Sequence, residues 1–547
     1  MKKDSFIKGA VVATACIVFS KILGIIYVIP FHAIIGQNGR ALYGYAYNIY
    51  MLFLNFSTMG IPLAISKMVS EYHSLGYEDA KKRTYKLALK IVSGIAIIST
   101  IVLLIFAPSI AKMIIGDLKG GNTIEDIVFV VRISASAILF VTILSAVRGY
   151  LQGHKYISVS SISQVLEQLV RVIVIIVGSY IAMKLWGTKE AIGIAVFGAT
   201  AGAIFALFFL EKKMFDIRKE EKNIKIKKEE KEITNKIIFK KLLKYTVPFI
   251  IVSIAISLYN TIDMFTIIKP LVKYGNFKVK EAEAILSVVT TWGAKLNVIV
   301  TSIAAGVVTA MLPNVTSDFV KNDIKAVENK ANKTLQIVLY FALPMVIGLS
   351  FLAPAVWNIF YGKSVLNVNV FRFSIFTAIF YSLFLNLHTM LQSVNHNKVA
   401  NISIISGLCI KVLLNVPMIV LFSKIPFIPT YYASIFTTIL AYIIPIIISL
   451  YDLSKNLKIS FKSTLKNVSW ILIAVITMLA ILLSIRLFVP ITGGRIYSLL
   501  VIALYGGIGM IVYFTITSKA KVFENIFGSD IKTFIRKRLK RQWNLKN

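Results

Sequence analysis

Apolar stretches of about twenty residues follow one another along this whole chain, separated by short polar segments. Fourteen are discernible, at approximately 9–35, 42–68, 86–115, 127–150, 161–184, 191–211, 244–268, 284–312, 334–361, 369–393, 401–423, 430–450, 468–489 and 497–517. They are continuous and do not alternate at period two, which selects helices and excludes a membrane barrel. The pattern therefore predicts an all-α polytopic membrane protein with about 14 transmembrane helices.

The pattern also repeats. Residues 130–153 read VVRISASAILFVTILSAVRGYLQG and residues 370–393 read VFRFSIFTAIFYSLFLNLHTMLQS. Arg132, Ser134 and Leu151-Gln152 recur as Arg372, Ser374 and Leu391-Gln392 at the same internal spacing. FAPSIAKMIIG (106–116) likewise returns as LAPAVWNIFYG (352–362), and the polar loop 70–92 returns as 317–338. One duplication explains all three matches. Six spans is an even number, so both copies enter from the same side. They form two parallel six-helix repeats, and the last two helices lie outside the duplication. The expected organisation is an N-terminal lobe at 1–212, a charged cytoplasmic linker at 213–243, a second lobe at 244–451, two additional helices at 468–517 and a basic tail at 518–547.

Composition sharpens this picture. The 547 residues are 57% hydrophobic and only 16% charged, too apolar for a soluble domain of this size. The net charge of +36 lies between the spans and in the tail rather than on a soluble domain, so no nucleic-acid partner is expected. With the N-terminus inside, the cytoplasmic segments hold roughly 40 Lys and Arg against about 12 outside, which predicts both termini in the cytoplasm. The outer loop 269–283, with Lys269, Lys273, Lys278 and Lys280, runs against the bias. The tail sequence IRKRLKRQWNLK suits contact with anionic membrane lipids. Lys2, Lys3 and Lys8 before VVATAC imitate a signal peptide, but the apolar run continues past Cys16 to Ile35, so it reads as the first membrane helix.

Chemistry enters through what is missing and what is embedded. The five histidines show no metal-ligand spacing, Cys16 and Cys409 read as small core residues, and no cofactor is expected. Gly362-Lys363-Ser364 resembles the end of a phosphate-binding loop, but Trp357 stands where the first glycine is required. Short outer loops leave little room for a catalytic site, so transport rather than catalysis is the expected activity. Ionisable residues within spans cost roughly 2.5–3.5 kcal/mol each at mid-bilayer, and so mark interior or water-facing positions. They are Lys21, Glu167 and Arg171 (one turn apart), Asp263, Lys295 and Lys411. The cationic excess favours an anionic substrate. Glu167–Arg171 also reads as a self-neutralising structural pair, Arg132 and Arg372 as snorkelling residues, and Arg148 and Lys155 as topology signals. Asp263 reads as a possible ion or proton site.

The stretches SKILGIIYVIPF (20–31), LFLNFSTMGIPLAISKMVSEY (52–72) and VRGYLQGHKYISVSSISQVLEQLVRVI (147–173) resemble the multidrug/oligosaccharidyl-lipid/polysaccharide exporter superfamily. The resemblance falls within its polysaccharide-biosynthesis branch, which holds MurJ-type lipid II flippases of Gram-positive bacteria and SpoVB-type sporulation proteins. It implies alternating-access translocation of an undecaprenyl-diphosphate-linked glycan, lipid II, through a cationic cavity, with the last two helices forming a groove for the lipid tail. Phe19-Ser20-Lys21-Ile22-Leu23-Gly24 matches a family Phe-Ser-Arg-x-Leu-Gly segment with Lys21 in place of the arginine, and Tyr27 replaces a second arginine. An eighth-span arginine of the family falls within a residue of Lys295. Lys21, Lys295, Lys411, Arg171 and Glu167 are thus the candidate substrate-binding residues, and Asp263 the candidate coupling group. The competing readings are export of another lipid-linked polysaccharide or spore-cortex precursor, cation-coupled drug antiport, and a non-transporting scaffold for cell-wall synthesis or division proteins.

Overall fold

The computed structural model describes residues 6–58, 60–220, 232–528 and 530, and these are helical with no strand. In chain order the first eight helices are α1 (Phe6–Ile26), α2 (Val28–Thr58), α3 (Ile61–Leu75), α4 (Glu78–Ile115), α5 (Ile124–Gly153), α6 (Ile157–Ile173), α7 (Ser179–Leu185) and α8 (Thr188–Glu220). Then come α9 (Asn235–Thr266), α10 (Ile268–Tyr274), α11 (Val279–Ser287), α12 (Gly293–Val320), α13 (Ile324–Phe351), α14 (Ala353–Tyr361) and α15 (Val365–Ser374). The last six are α16 (Thr377–Ser393), α17 (Asn397–Ser423), α18 (Tyr432–Asn456), α19 (Lys462–Arg486), α20 (Arg495–Lys519) and α21 (Val522–Phe527). Wide π turns at Val174–Gly178 and Val288–Trp292 join α6 to α7 and α11 to α12.

Among the described residues, thirteen helical segments are long and apolar enough to cross a membrane, and they match in order every predicted span but the seventh. That one, 244–268, is covered by α9 up to Thr266, and α9 starts earlier because the Thr234 hydroxyl accepts from the Ile237 amide and caps it. The linker is helical up to Glu220 and again from Asn235, while its middle (221–231) and the tail residues 531–547, Trp543 included, lie outside the described residues. Large apolar side chains such as Phe208, Leu413 and Ile511 stay exposed, the arrangement expected when hydrocarbon rather than water surrounds the helices. This is a multi-pass membrane protein.

The duplication is visible in backbone geometry. Gly116 and Gly362 close α4 and α14 with positive φ (60° and 79°), each amide bonded four residues back. Lys155 and Asn395, at matching repeat positions, both adopt left-handed φ (66° and 60°). The bonds around them also correspond: Tyr156 N donates to Leu151 O, and His396 N to Leu391 O, both at 2.9 Å. Two copies of one sequence have kept the same helix-ending turn.

Contacts divide the chain into two compact units, Met1–Thr291 and Trp292–Asn547, so α9–α11 pack with the first repeat. In the first unit α5 is central, flanked by α2, α3, α4 and α8. A β-carbon on Gly149 would lie 2.6 Å from Pro62 O and 2.7 Å from Pro62 Cα, so α5 meets the start of α3 backbone to backbone. Gly149→Ala is therefore expected to lower stability by about 1–3 kcal/mol. Gly94→Ala, with nothing within 4 Å, should leave the melting temperature nearly unchanged. Thermal melts in detergent check both, and equal midpoints would contradict the close approach.

In the second unit the two added helices dock on α13–α14 through polar bonds at several levels. Thr464 Oγ1 donates to Asn332 Oδ1 (2.6 Å) and Asn467 Nδ2 to Gln336 Oε1 (3.1 Å). Further along, the Tyr513 hydroxyl donates to Tyr340 O (2.7 Å), and Asn358 Nδ2 to Ser498 Oγ (3.0 Å). Interhelical hydrogen bonds give such contacts their register where lipid removes the hydrophobic drive.

Candidate functional site

Helix α6 is polar inward and apolar outward. Ser158, Ser160, Ser161, Ser163 and Glu167 are buried, whereas Ile162 and Ile173 are exposed. A membrane helix written this way faces a polar interior. Glu167 sits between two arginines: Arg148 Nη1 of α5 donates to Oε2 at 2.8 Å, and Arg171 Nη2, one turn along α6, donates to Oε1 at 2.9 Å. Arg148 Nε also donates to Ser163 Oγ at 2.9 Å. One carboxylate against two guanidiniums leaves one net positive charge. Among the described residues, Arg148 Nη2 and Arg171 Nε are buried donors with no hydrogen-bond acceptor. Arg171 further faces Tyr43, Tyr47 and Tyr50 of α2 across a small cavity.

Glycines set how close the neighbouring helices come. A β-carbon on Gly202 of α8 would lie 2.5 Å from Glu167 O, and one on Gly198 would lie 3.1 Å from Arg171 O. On the other side Gly24 of α1 approaches Gln168 Nε2 at 3.6 Å, measured the same way. Lys21, one turn before Gly24, is exposed on α1.

The remaining candidates are elsewhere. Asp263 is buried in α9, 2% exposed. In the second unit Lys295 is half-buried with its ammonium 4.5 Å from the Trp292 ring centroid. Lys411 is wholly enclosed, donating to Asn415 Oδ1 (3.1 Å), Ser434 O (3.0 Å) and Thr438 Oγ1 (2.6 Å), so α17 and α18 supply its acceptors. The structure thus brings together Glu167 and Arg171 and adds Arg148, which the sequence suggested only as a topology signal.

A further buried carboxylate, Glu283, lies within the predicted outer loop 269–283. It accepts from Tyr45 Oη (3.0 Å) and from the backbone and side-chain nitrogens of Asn122 (both 3.1 Å). It thereby ties α11 to α2 and to the α4–α5 loop. A β-carbon on Gly121 would meet it at 2.6 Å, a glycine signal readable only once the neighbour is known.

The sequence profile of the family described as "Polysaccharide biosynthesis protein" matches residues 6–317. The chain is 30% identical to "Lipid II flippase MurJ" of Bacillus subtilis (strain 168), over 98% of this chain and 99% of that protein. It is 31% identical to "Stage V sporulation protein B" of the same organism, over 40% of this chain and 42% of that one. Among solved structures, a lipid II flippase MurJ in an inward closed conformation superposes with a TM-score of 0.67 at 14% identity, covering 95% of this chain and all of that one. An inward-facing MATE multidrug transporter of the MOP superfamily gives 0.62 at 14% identity, over 82% and 99%. At such identities the structural matches establish the fold.

Proposed function

Since the chain belongs to the polysaccharide biosynthesis protein family, we propose that it is a flippase carrying lipid II across the cytoplasmic membrane. The observation that carries this reading is the 30% identity to a lipid II flippase along nearly the full length of both chains. The chemistry agrees. A charged diphosphate-sugar head cannot cross hydrocarbon unaided, whereas its long apolar tail need not leave it. The part-buried Arg148–Glu167–Arg171 cluster carries net positive charge and spare N–H donors, and arginine forks suit phosphate oxygens.

In this reading Arg171 and Arg148 meet the diphosphate while Glu167 holds them apart from each other. Lys21 and Lys295 add positive charge along the path. Lys411, with its protons taken by α17 and α18, contributes field rather than contact. Asp263 is the coupling carboxylate of an alternating-access cycle, and both termini lie in the cytoplasm.

Complementation tests the proposal in cells depleted of their own lipid II flippase. The native chain is expected to restore growth, and Lys21→Ala at equal membrane abundance to restore it poorly. Failure of a well-expressed native chain would overturn the lipid II reading. The match to the polysaccharide biosynthesis family would then favour a different lipid-linked glycan. Full rescue by both would keep the flippase and remove Lys21 from the path.

A further inference from the structure

At one end of the second unit, the α14–α15 corner and the α19–α20 loop border a half-open cavity of about 360 Å³. Lys363, Arg372 and Arg486 line it, and among the described residues no acidic one does. We infer that this cavity binds the phosphate group of an anionic ligand at the membrane face opposite the chain's main positive charge.

The placement is the first argument. With both termini inside, residues 361–369 and 486–497 fall on the outer side, where this chain carries few cations. A topology signal does not account for three of them meeting at one cavity. Snorkelling does not either, because it sends each long side chain separately to the interface. The three come from different elements: the α14–α15 loop, α15 itself and the end of α19. None makes an ion pair among the described residues.

The walls are built rather than loose. Gly362, at φ +79°, turns the chain sharply so that Lys363 and Ser364 face the cavity. The Ser364 hydroxyl caps α15 by accepting from Asn367 N (3.3 Å), and Ser350 Oγ donates to Arg372 O (2.8 Å), fixing the turn that carries that arginine. On the far wall Asn358 Nδ2 donates to Gly493 O (3.1 Å) and the Tyr505 hydroxyl to Val489 O (2.5 Å). Gly493 leaves no space for a side chain, since a β-carbon would stand 2.2 Å from the Tyr497 ring.

Chemically the site suits phosphate. Two guanidiniums and an ammonium offer charge-assisted bonds, and the first turn of α15 lines the same space with its positive dipole end. The volume is at the small end of ligand cavities, adequate for a head group. Gly362-Lys363-Ser364, which fails as a nucleotide loop, acquires a role here. The phosphate belongs either to the head group of an outer-leaflet lipid or to a soluble phosphate compound.

The test uses the purified full-length chain in uncharged detergent, with binding of phosphatidylglycerol followed by native mass spectrometry. Phosphatidylcholine is the neutral control and inorganic pyrophosphate the soluble competitor. One saturable phosphatidylglycerol, displaced by pyrophosphate, supports the site with a lipid source. Pyrophosphate bound without lipid supports it with a soluble source. The K363Q/R372Q/R486Q variant is expected to bind at least about tenfold more weakly, because it removes every charge-assisted bond the lining offers. Val368→Trp, which fills the cavity and keeps every cation, is expected to lose binding as well. K269Q/K273Q/K278Q, equal in charge removed, should bind as the native chain does. Native-like binding by the first two variants, equal loss in the third, or binding of neither probe by monodisperse native protein overturns the inference. The assay involves no transport, so its failure leaves the lipid II proposal standing.

Discussion

Glu167→Gln is expected to abolish complementation and to lower the stability of the purified protein by about 3 kcal/mol. The substitution keeps the shape and removes the charge that separates two guanidiniums, each within 2.9 Å of a carboxylate oxygen. Breaking a buried ion pair by deleting one partner typically costs about 3–5 kcal/mol. The low end applies because Arg148 and Arg171 retain 16% and 24% side-chain exposure and are partly screened. The double variant E167Q/R171Q removes one charge of each sign and should recover most of the stability while leaving transport lost. That split distinguishes a cluster that handles substrate from one that only holds α5 to α6. Full transport with E167Q at native melting temperature would show the cluster to be idle. Recovery of transport in the double variant would show it to be structural.

The span pattern and the duplication were legible because both rest on continuous apolar length and on offsets within the chain. The structure returns thirteen spans in the predicted order, and the matched turns at Lys155 and Asn395. Breaks within spans were less legible. The first predicted span breaks at Tyr27, between α1 and α2, and the second at Gly60 (φ 81°), because an apolar run looks the same whether the helix through it is straight or bent. The π turns leave no hydropathy trace at all.

Site residues divide along the same line. Glu167 and Arg171 were legible as a pair because i and i+4 positions meet on one helix. Arg148 was not, because it reaches Glu167 from α5, and a basic residue beside an inner loop looks like a topology signal. Lys411 was legible as a deep charge that must be satisfied, but the sequence could not say by what. Its acceptors are neutral groups on its own helix and the next. Lys21 and Lys295 show the converse, since depth along a span does not fix which face a side chain takes. The missed signal was Gly198-x-x-x-Gly202, a small-residue spacing that marks close helix contact in membranes.

That spacing supports the second large effect. Gly202→Ala is expected to lower stability by about 1–3 kcal/mol and to abolish complementation together. Its β-carbon would stand 2.5 Å from Glu167 O and 3.3 Å from Glu167 Cγ, so the obstacle is mainly backbone and cannot rotate aside. Relief requires α8 and α6 to separate by several tenths of an ångström at the residue that bridges two arginines. Close-packed interiors transmit such a shift rather than absorb it. Bonds of 2.8 and 2.9 Å then lengthen or lose alignment, and hydrogen bonds weaken steeply once geometry departs from linear. Gly198→Ala, whose nearest atom is Arg171 O at 3.1 Å, should show the same effects at smaller size. The ordering Gly202→Ala worse than Gly198→Ala, and both worse than Gly94→Ala, follows from three distances alone. Melting temperature and growth rescue, read at matched membrane abundance, check it. A Gly202→Ala protein with native values for both would mean that α8 does not hold Glu167 in place.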